Sequence, residues 1–231
     1  MKRAENVLEL LDGPLPPRDL AASLEDIDHL NARFGGHWLT MREVAEEAAR
    51  TPRERGLVVV DVGGGRGDVA LRVVAWARSA GRTVRVLVID RDPETVALAR
   101  RHCAGTPEVT VIQADATALP VREDACDVAL SVLTLHHLEP DDAAAMLNEL
   151  RTAARGAVVV NDLLRSRVSF VLVWLATRLF ARHPVARHDG PLSVRRAYAV
   201  DELATLAGKA RITRFSVRRF PWLARVLLVA R

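Results

Sequence analysis

Lysine is nearly missing from these 231 residues: Lys2 and Lys209 are the only two among 33 basic side chains, and the rest are arginine. Acids number 29, so the formal net charge is only +4, and the arginines are scattered along the chain rather than gathered into a block. A nucleic-acid-binding face is therefore not expected. Cysteine is as scarce, with Cys103 and Cys126 alone and no CxxC pair, which excludes a disulfide framework and gives no pattern for a structural zinc site. No apolar run reaches the roughly 20 residues that cross a bilayer; the longest, "VSFVLVWLATRLF" from Val168 to Phe180, falls short. The N-terminus "MKRAENVLELLDGPLPPRDL" lacks the apolar centre of a secretory signal and carries acids that transit peptides avoid. A cytoplasmic location is expected, and contact with a membrane surface stays open.

What is present is an alternation of strand-like and helix-like segments, in a chain of a size for one domain. Before residue 57, "NVLELLDGP", "SLEDIDHLNARF" and "TMREVAEEAAR" read as helices, broken at Gly13 to Pro17 and at Gly35-Gly36; residues 1–55 form an expected helical cap. From 56 to 231 the pattern changes. "GLVVVDV", "TVRVLVID", "EVTVIQAD", "CDVALSVLTL" and "AVVVND" are short apolar runs of the kind that form strands covered on both faces. Between them lie "DVALRVVAWARSA", "PETVALARRHC" with Asp92 as N-cap and Pro93 at the first helical position, and "DDAAAMLNELRTAA", expected to close at Gly156. Such alternation predicts an α/β fold with right-handed crossovers and helices on both faces of a parallel sheet. After the helix-like "VDELATLAGKA", the runs "RITRFSVRRF" and "WLARVLLVAR" are separated only by Pro221 and its neighbours, too short a link for anything but an antiparallel pair.

The glycines of "DVGGGRGDVA", Asp61 to Ala70, end the first strand and open a helix. A phosphate-binding loop would need GxxxxGK[ST], and no Lys-Ser or Lys-Thr follows. A dinucleotide fingerprint counted from Gly63 and Gly65 finds Asp68 where the third glycine belongs, and an acid at a helix start repels pyrophosphate. The pattern satisfied is DxGxGxG, with Asp61, Gly63, Gly65 and Gly67. It resembles motif I of the class I S-adenosylmethionine-dependent methyltransferases. Further segments match that family in order: Asp90 with Arg91 beside it in "VLVIDRDPE", where the family accepts the ribose hydroxyls; Asp115-Ala116 in "QADATALP", where it brackets adenine; and "CDVALSVLTLHHL" at the fourth strand, with Ser131 on the donor side. The resemblance implies a Rossmann-like seven-stranded sheet of order 3-2-1-4-5-7-6 with strand 7 antiparallel. It also implies S-adenosyl-L-methionine as cofactor, with Asp61 accepting from its amino group.

For the acceptor, "LHHL" and the absence of an NPPY-type motif resemble the small-molecule branch, including ubiquinone and menaquinone biosynthesis methyltransferases. The expected acceptor is a lipophilic phenol, polyketide or quinol-like molecule, methylated on oxygen or carbon; a non-catalytic S-adenosylmethionine sensor or partner subunit is the alternative. No metal is required by the chemistry. His136 and His137 read either as base and substrate contacts or as histidines that shape a turn. Residues 163–200 read as an acceptor lid, with Asp162 at its root, His183, His188 and Asp189 within it, and Phe170 and Trp174 one helical turn apart, facing an apolar pocket. "RHDG" reads equally as a turn, and Asp162 equally as a helix cap. His37 and Trp38 are either a wall over the ligand or part of a plain cap.

Overall fold

Seven strands pair in the order β3-β2-β1-β4-β5-β7-β6 in a computed structural model that describes residues 1–231. β1 (Leu57–Val62), β2 (Val84–Asp90), β3 (Val109–Gln113), β4 (Cys126–Val132) and β5 (Ala154–Leu163) are parallel. β6 (Phe215–Phe220) and β7 (Arg225–Ala230) form the expected antiparallel pair, with β7 also antiparallel to β5. The helices are α1 (Pro17–Arg33), α2 (Gly36–Arg50), α3 (Asp68–Ser79), α4 (Pro93–His102), α5 (Pro140–Ala153), α6 (Arg167–Phe180), α7 (Pro184–Arg196) and α8 (Val200–Lys209).

Consecutive strand residues part to opposite faces, as a pleat of period two demands. Val60, Val160 and Leu228 pack with Met146 and Leu150 of α5 and Leu203 of α8. Their neighbours Val59, Val159 and Leu227 pack with Val44 of α2 and Val73 of α3. α2 therefore belongs to the sandwich itself, although it lies within the expected cap 1–55. What covers the carboxyl ends of the strands is α1, α6, α7 and the N-terminal segment. Asp92 caps α4 as expected, accepting from Thr95 N at 2.7 Å.

Three segments depart from the sequence expectation. "NVLELLDGP" is not a helix but a single 3-10 turn at Leu10–Asp12, because Asp189 captures the amides of Leu10 and Leu11 at 2.9 and 3.0 Å and so short a helix is marginal by itself. α5 ends at Ala153, and Gly156 sits inside β5, where a Cβ would lie 2.4 Å from the Asp127 carbonyl; the strand pairing claims the residues expected to finish the helix. "RHDG" is neither turn nor loop but part of α7.

Candidate active site

The carboxyl ends of β1 to β4 border one cavity of about 920 Å³, the position at which open α/β sheets hold ligands. Its donor half is built from loops that directly follow strands. After β1 the chain turns through Gly63 at φ +68°, where a Cβ would stand 2.2 Å from Thr134 Cγ2. Gly65 N donates to Asp90 Oδ2 at 3.1 Å, joining the β1 and β2 loops. Asp90 also accepts from Asp92 N at 3.1 Å; burial pushes its carboxyl up while these amides pull it back. Beyond β3, Asp115 Oδ1 accepts from Thr117 N and Oγ1 at 2.7 and 2.6 Å, bonds that hold its carboxyl low. Arg91 and Ala116 complete this wall.

Asp61 differs from all of these. Both of its oxygens are buried without a hydrogen-bond partner, and burial, reinforced by Asp90 and Asp68, pushes its carboxyl up to about 7. A lone buried carboxylate among other acids is expensive in free energy unless a cation meets it. Gly67, by contrast, faces away from the cavity: its φ is +87°, and a Cβ would stand 2.7 Å from Cys103 Sγ, so it lets the loop lie against α4. Ser131 is fully buried in β4 and also lies off the cavity wall.

The opposite half carries the histidines. Leu133 adopts φ +57°, rare for a branched residue, and swings the chain from β4 into a 3-10 turn, Leu135–His137. Asp162 anchors that turn. It accepts from His136 N at 2.9 Å and from Leu163 N at 2.7 Å, and meets His136 Nδ1 at 2.6 Å. Burial alone would raise the Asp162 carboxyl, but His136 and these amides hold it below its ordinary value. Asp162 thus caps a turn, not a lid helix, and stands behind the cavity wall.

His137 Nδ1 meets Asp12 Oδ1 at 2.6 Å, and Asp12 pairs with Arg196, whose Nη2 donates to the His137 carbonyl at 2.8 Å. Burial raises the Asp12 carboxyl, and His137 and Arg196 more than reverse this. Glu9 stands over both imidazoles, with Oε1 3.6 Å from His136 Nε2 and Oε2 3.9 Å from His137 Nε2. Its burial pushes it up to about 7 against the pull of His137 and Arg196. Glu9, His136 and His137 each bring a ligand atom within 4.8 Å of the others, a spacing one metal ion can bridge; Arg196 Nη1, 3.6 Å from Glu9 Oε1, already places a positive charge there.

Glu9 and Asp12 were invisible to the sequence reading, since they lie over 120 residues from the histidines in a segment that looks like a helix face. His37 does line the cavity, held by Asp28 at 2.6 Å, whereas Trp38 is exposed. α6 turns Leu172, Val173, Ala176 and Thr177 to the cavity, whereas Phe170, one turn before Val173, and Trp174 are not on its wall. Phe170 packs with Leu163 and Val194, and Trp174 faces solvent. His188 is exposed and lies away from the cavity; its neighbour Asp189 lines the cavity instead.

Residues 59–156 match a family model described as a methyltransferase domain. No curated protein matches the chain. Among solved structures, a candidate O-methyltransferase of Nostoc punctiforme PCC 73102 is similar at TM-score 0.66 and 16% identity, over 99% of this chain and 64% of that one. A candidate S-adenosyl-L-methionine-dependent methyltransferase of Methanococcus maripaludis aligns at TM-score 0.61 and 12% identity over 94% of both chains. A SAM-dependent methyltransferase of Aquifex aeolicus aligns at TM-score 0.55 and 19% identity, over 76% of this chain and 81% of that one. At such identities the likeness is one of fold.

Proposed function

With residues 59–156 a methyltransferase domain and S-adenosylmethionine its cofactor, we propose that the chain methylates an oxygen or carbon of a small lipophilic acceptor, phenolic, polyketide or quinol-like, at the histidine wall. The observation that carries this reading is the asymmetry of the cavity: a carboxylate with no partner on one side, and paired imidazoles beside apolar α6 residues on the other. The donor half fits the cofactor. Asp61 supplies the negative charge an ammonium group needs, Asp90 a carboxylate for two hydroxyls, and Asp115-Ala116 an acceptor and a backbone donor for an adenine edge. Gly63 and Gly65 keep the floor free of side chains.

When bound, S-adenosylmethionine supplies a methyl group already activated on a sulfonium, so the protein mainly aligns, excludes water and removes a proton. Asp12 takes a hydrogen bond from His137 Nδ1, which leaves Nε2 as the basic nitrogen. His136 is arranged in the same way by Asp162 but is more deeply buried, with its side chain 3% exposed against 18% for His137. His137 is therefore the base for a hydroxyl acceptor. His136 positions it, and Glu9, whose carboxyl burial pushes up to about 7, is placed to share the proton.

Turnover with a panel of alkylphenols, quinols and polyketide-like phenols, read as S-adenosylhomocysteine release, tests the reading. Calorimetry should show S-adenosylmethionine binding and no NAD binding. Donor binding with no turnover on any member of the panel would return the chain to a binding-only role.

A further inference from the structure

α6 has two apolar faces, and the cavity uses only one. Val168, Val171, Trp174, Leu175 and Leu179 point outward, Leu179 at 65% exposure, at spacings of three and four that form one stripe. Trp222, 82% exposed, stands on the 3-10 turn Pro221–Leu223 that packs against α6. Monomeric soluble proteins rarely leave so continuous a patch in water.

The segment that carries this stripe has charge of one sign. Residues 163 to 188 contain five arginines, at 165, 167, 178, 182 and 187, and no acid. Only Arg165 has a carboxylate partner, Glu202. Arg167 opens the outward face, and Arg178 lies on it, its guanidinium 5.7 Å from the Trp174 ring. In the rest of the chain acids and bases balance, 29 against 28.

We propose that this face docks on an anionic bilayer surface, with α6 lying in the plane of the interface. An apolar face carrying Trp and Leu, edged by arginines, is what an interfacial helix needs, and the arginines gain from the negative potential of anionic headgroups. A second copy of this chain is the poorer occupant: twofold pairing through the stripe would bring the same unpaired arginines together with no acid to meet them. α6 is too short to cross the bilayer. The inward face of the same helix lines the acceptor cavity through Leu172, Val173 and Ala176. A bilayer-dissolved acceptor would thus lie one helix diameter, about 10 Å, from the site. That access route rests on the lipophilic-acceptor reading; the surface does not.

Flotation of the full chain with phosphatidylcholine vesicles, with and without about one-third phosphatidylglycerol, tests the surface. The parent should bind the anionic vesicles and bind neutral ones far more weakly. Val171→Glu with Leu175→Glu should lower binding at least about tenfold, and Arg178→Ser about fivefold on anionic vesicles only. Calorimetry with S-adenosylmethionine on the same variants should be unchanged, which separates loss of docking from loss of fold or of the donor site. No binding by the parent, or binding that the double glutamate variant leaves intact, overturns the proposal. Absence of vesicle binding together with a dimer that the double variant dissociates would assign the face to a second copy.

Discussion

The two halves of the cavity are built on opposite principles. The donor half is made of short loops, each following its own strand, and it leaves Asp61 buried and unpaired. The acceptor half draws Glu9, Asp12, His136, His137, Asp162 and Arg196 from distant parts of the chain and, Glu9 apart, satisfies their hydrogen bonds internally. An unpaired charge waits for a ligand that brings the opposite charge. A satisfied network is rigid before the ligand arrives, and it fixes tautomer and direction. The comparison predicts that damage to the donor half appears in binding and damage to the acceptor half in rate.

The sharpest division should come from the histidines. His137→Gln is expected to lower kcat by about 10²–10⁴ while leaving donor affinity nearly unchanged; His136→Gln should cost less, because that ring acts through position. Rates within a few-fold of the parent for both would leave only a structural role for the wall.

Asp61→Asn should do the reverse, weakening S-adenosylmethionine by about 10²-fold, and it carries a pH signature. Asp61 is raised to about 7 in the folded chain from its ordinary 3.8, so between those values the folded state holds a proton that the unfolded state has lost. Stability of the ligand-free chain therefore falls as pH rises through this window, and Glu9, raised likewise to about 7, adds in the same direction. The Asn variant, freed of the buried charge, should be more stable than the parent at pH 8, by an amount on the order of 2–4 kcal/mol. Donor affinity of the parent should drop as pH falls below 7. Thermal melts across pH, with and without donor, read both effects; equal pH dependence in parent and variant would remove Asp61 from the account.

Asp90→Ala should weaken the donor by roughly 10–10², since a charged acceptor of hydrogen bonds is lost. Cys103→Ala, against the back of Gly67, should leave it unchanged. Asp189→Ala tests how far the acceptor wall depends on the N-terminal turn: with the Leu10 and Leu11 amides released, Glu9 and Asp12 lose their placement. Acceptor kcat/KM should fall about tenfold with donor affinity preserved. The smallest effect belongs to Phe170→Ala with Trp174→Ala, neither on the cavity wall, which should leave acceptor KM within about twofold; Leu172→Ala, which is on it, should raise KM by more.

Much of the donor half was legible in the sequence, because its information is contiguous. A strand, a glycine turn and an acid follow one another, and once the strands are parallel their ends converge of necessity. Even there, Gly67 and Ser131 have the family's spacing yet lie off the cavity wall, which only the tertiary structure discloses. The lid residues misled for a related reason. Periodicity puts Phe170 and Trp174 near one another on α6 but does not tell which face of an all-round apolar helix meets the cavity.

The sequence by itself determined the alternation of strands and helices, the closing hairpin and the glycine loop after β1, since each follows from local pattern or from a link too short to allow another path, while the strand order came with the family resemblance. Tertiary structure alone decided the acceptor wall. Glu9 and Asp12 reach His136 and His137 only because Asp189 and Arg196, on a helix more than 175 residues further along, hold the N-terminal turn over the strand ends. That turn has no preference of its own strong enough to be read from its residues. Its conformation is set by the buried hydrogen bonds that capture it.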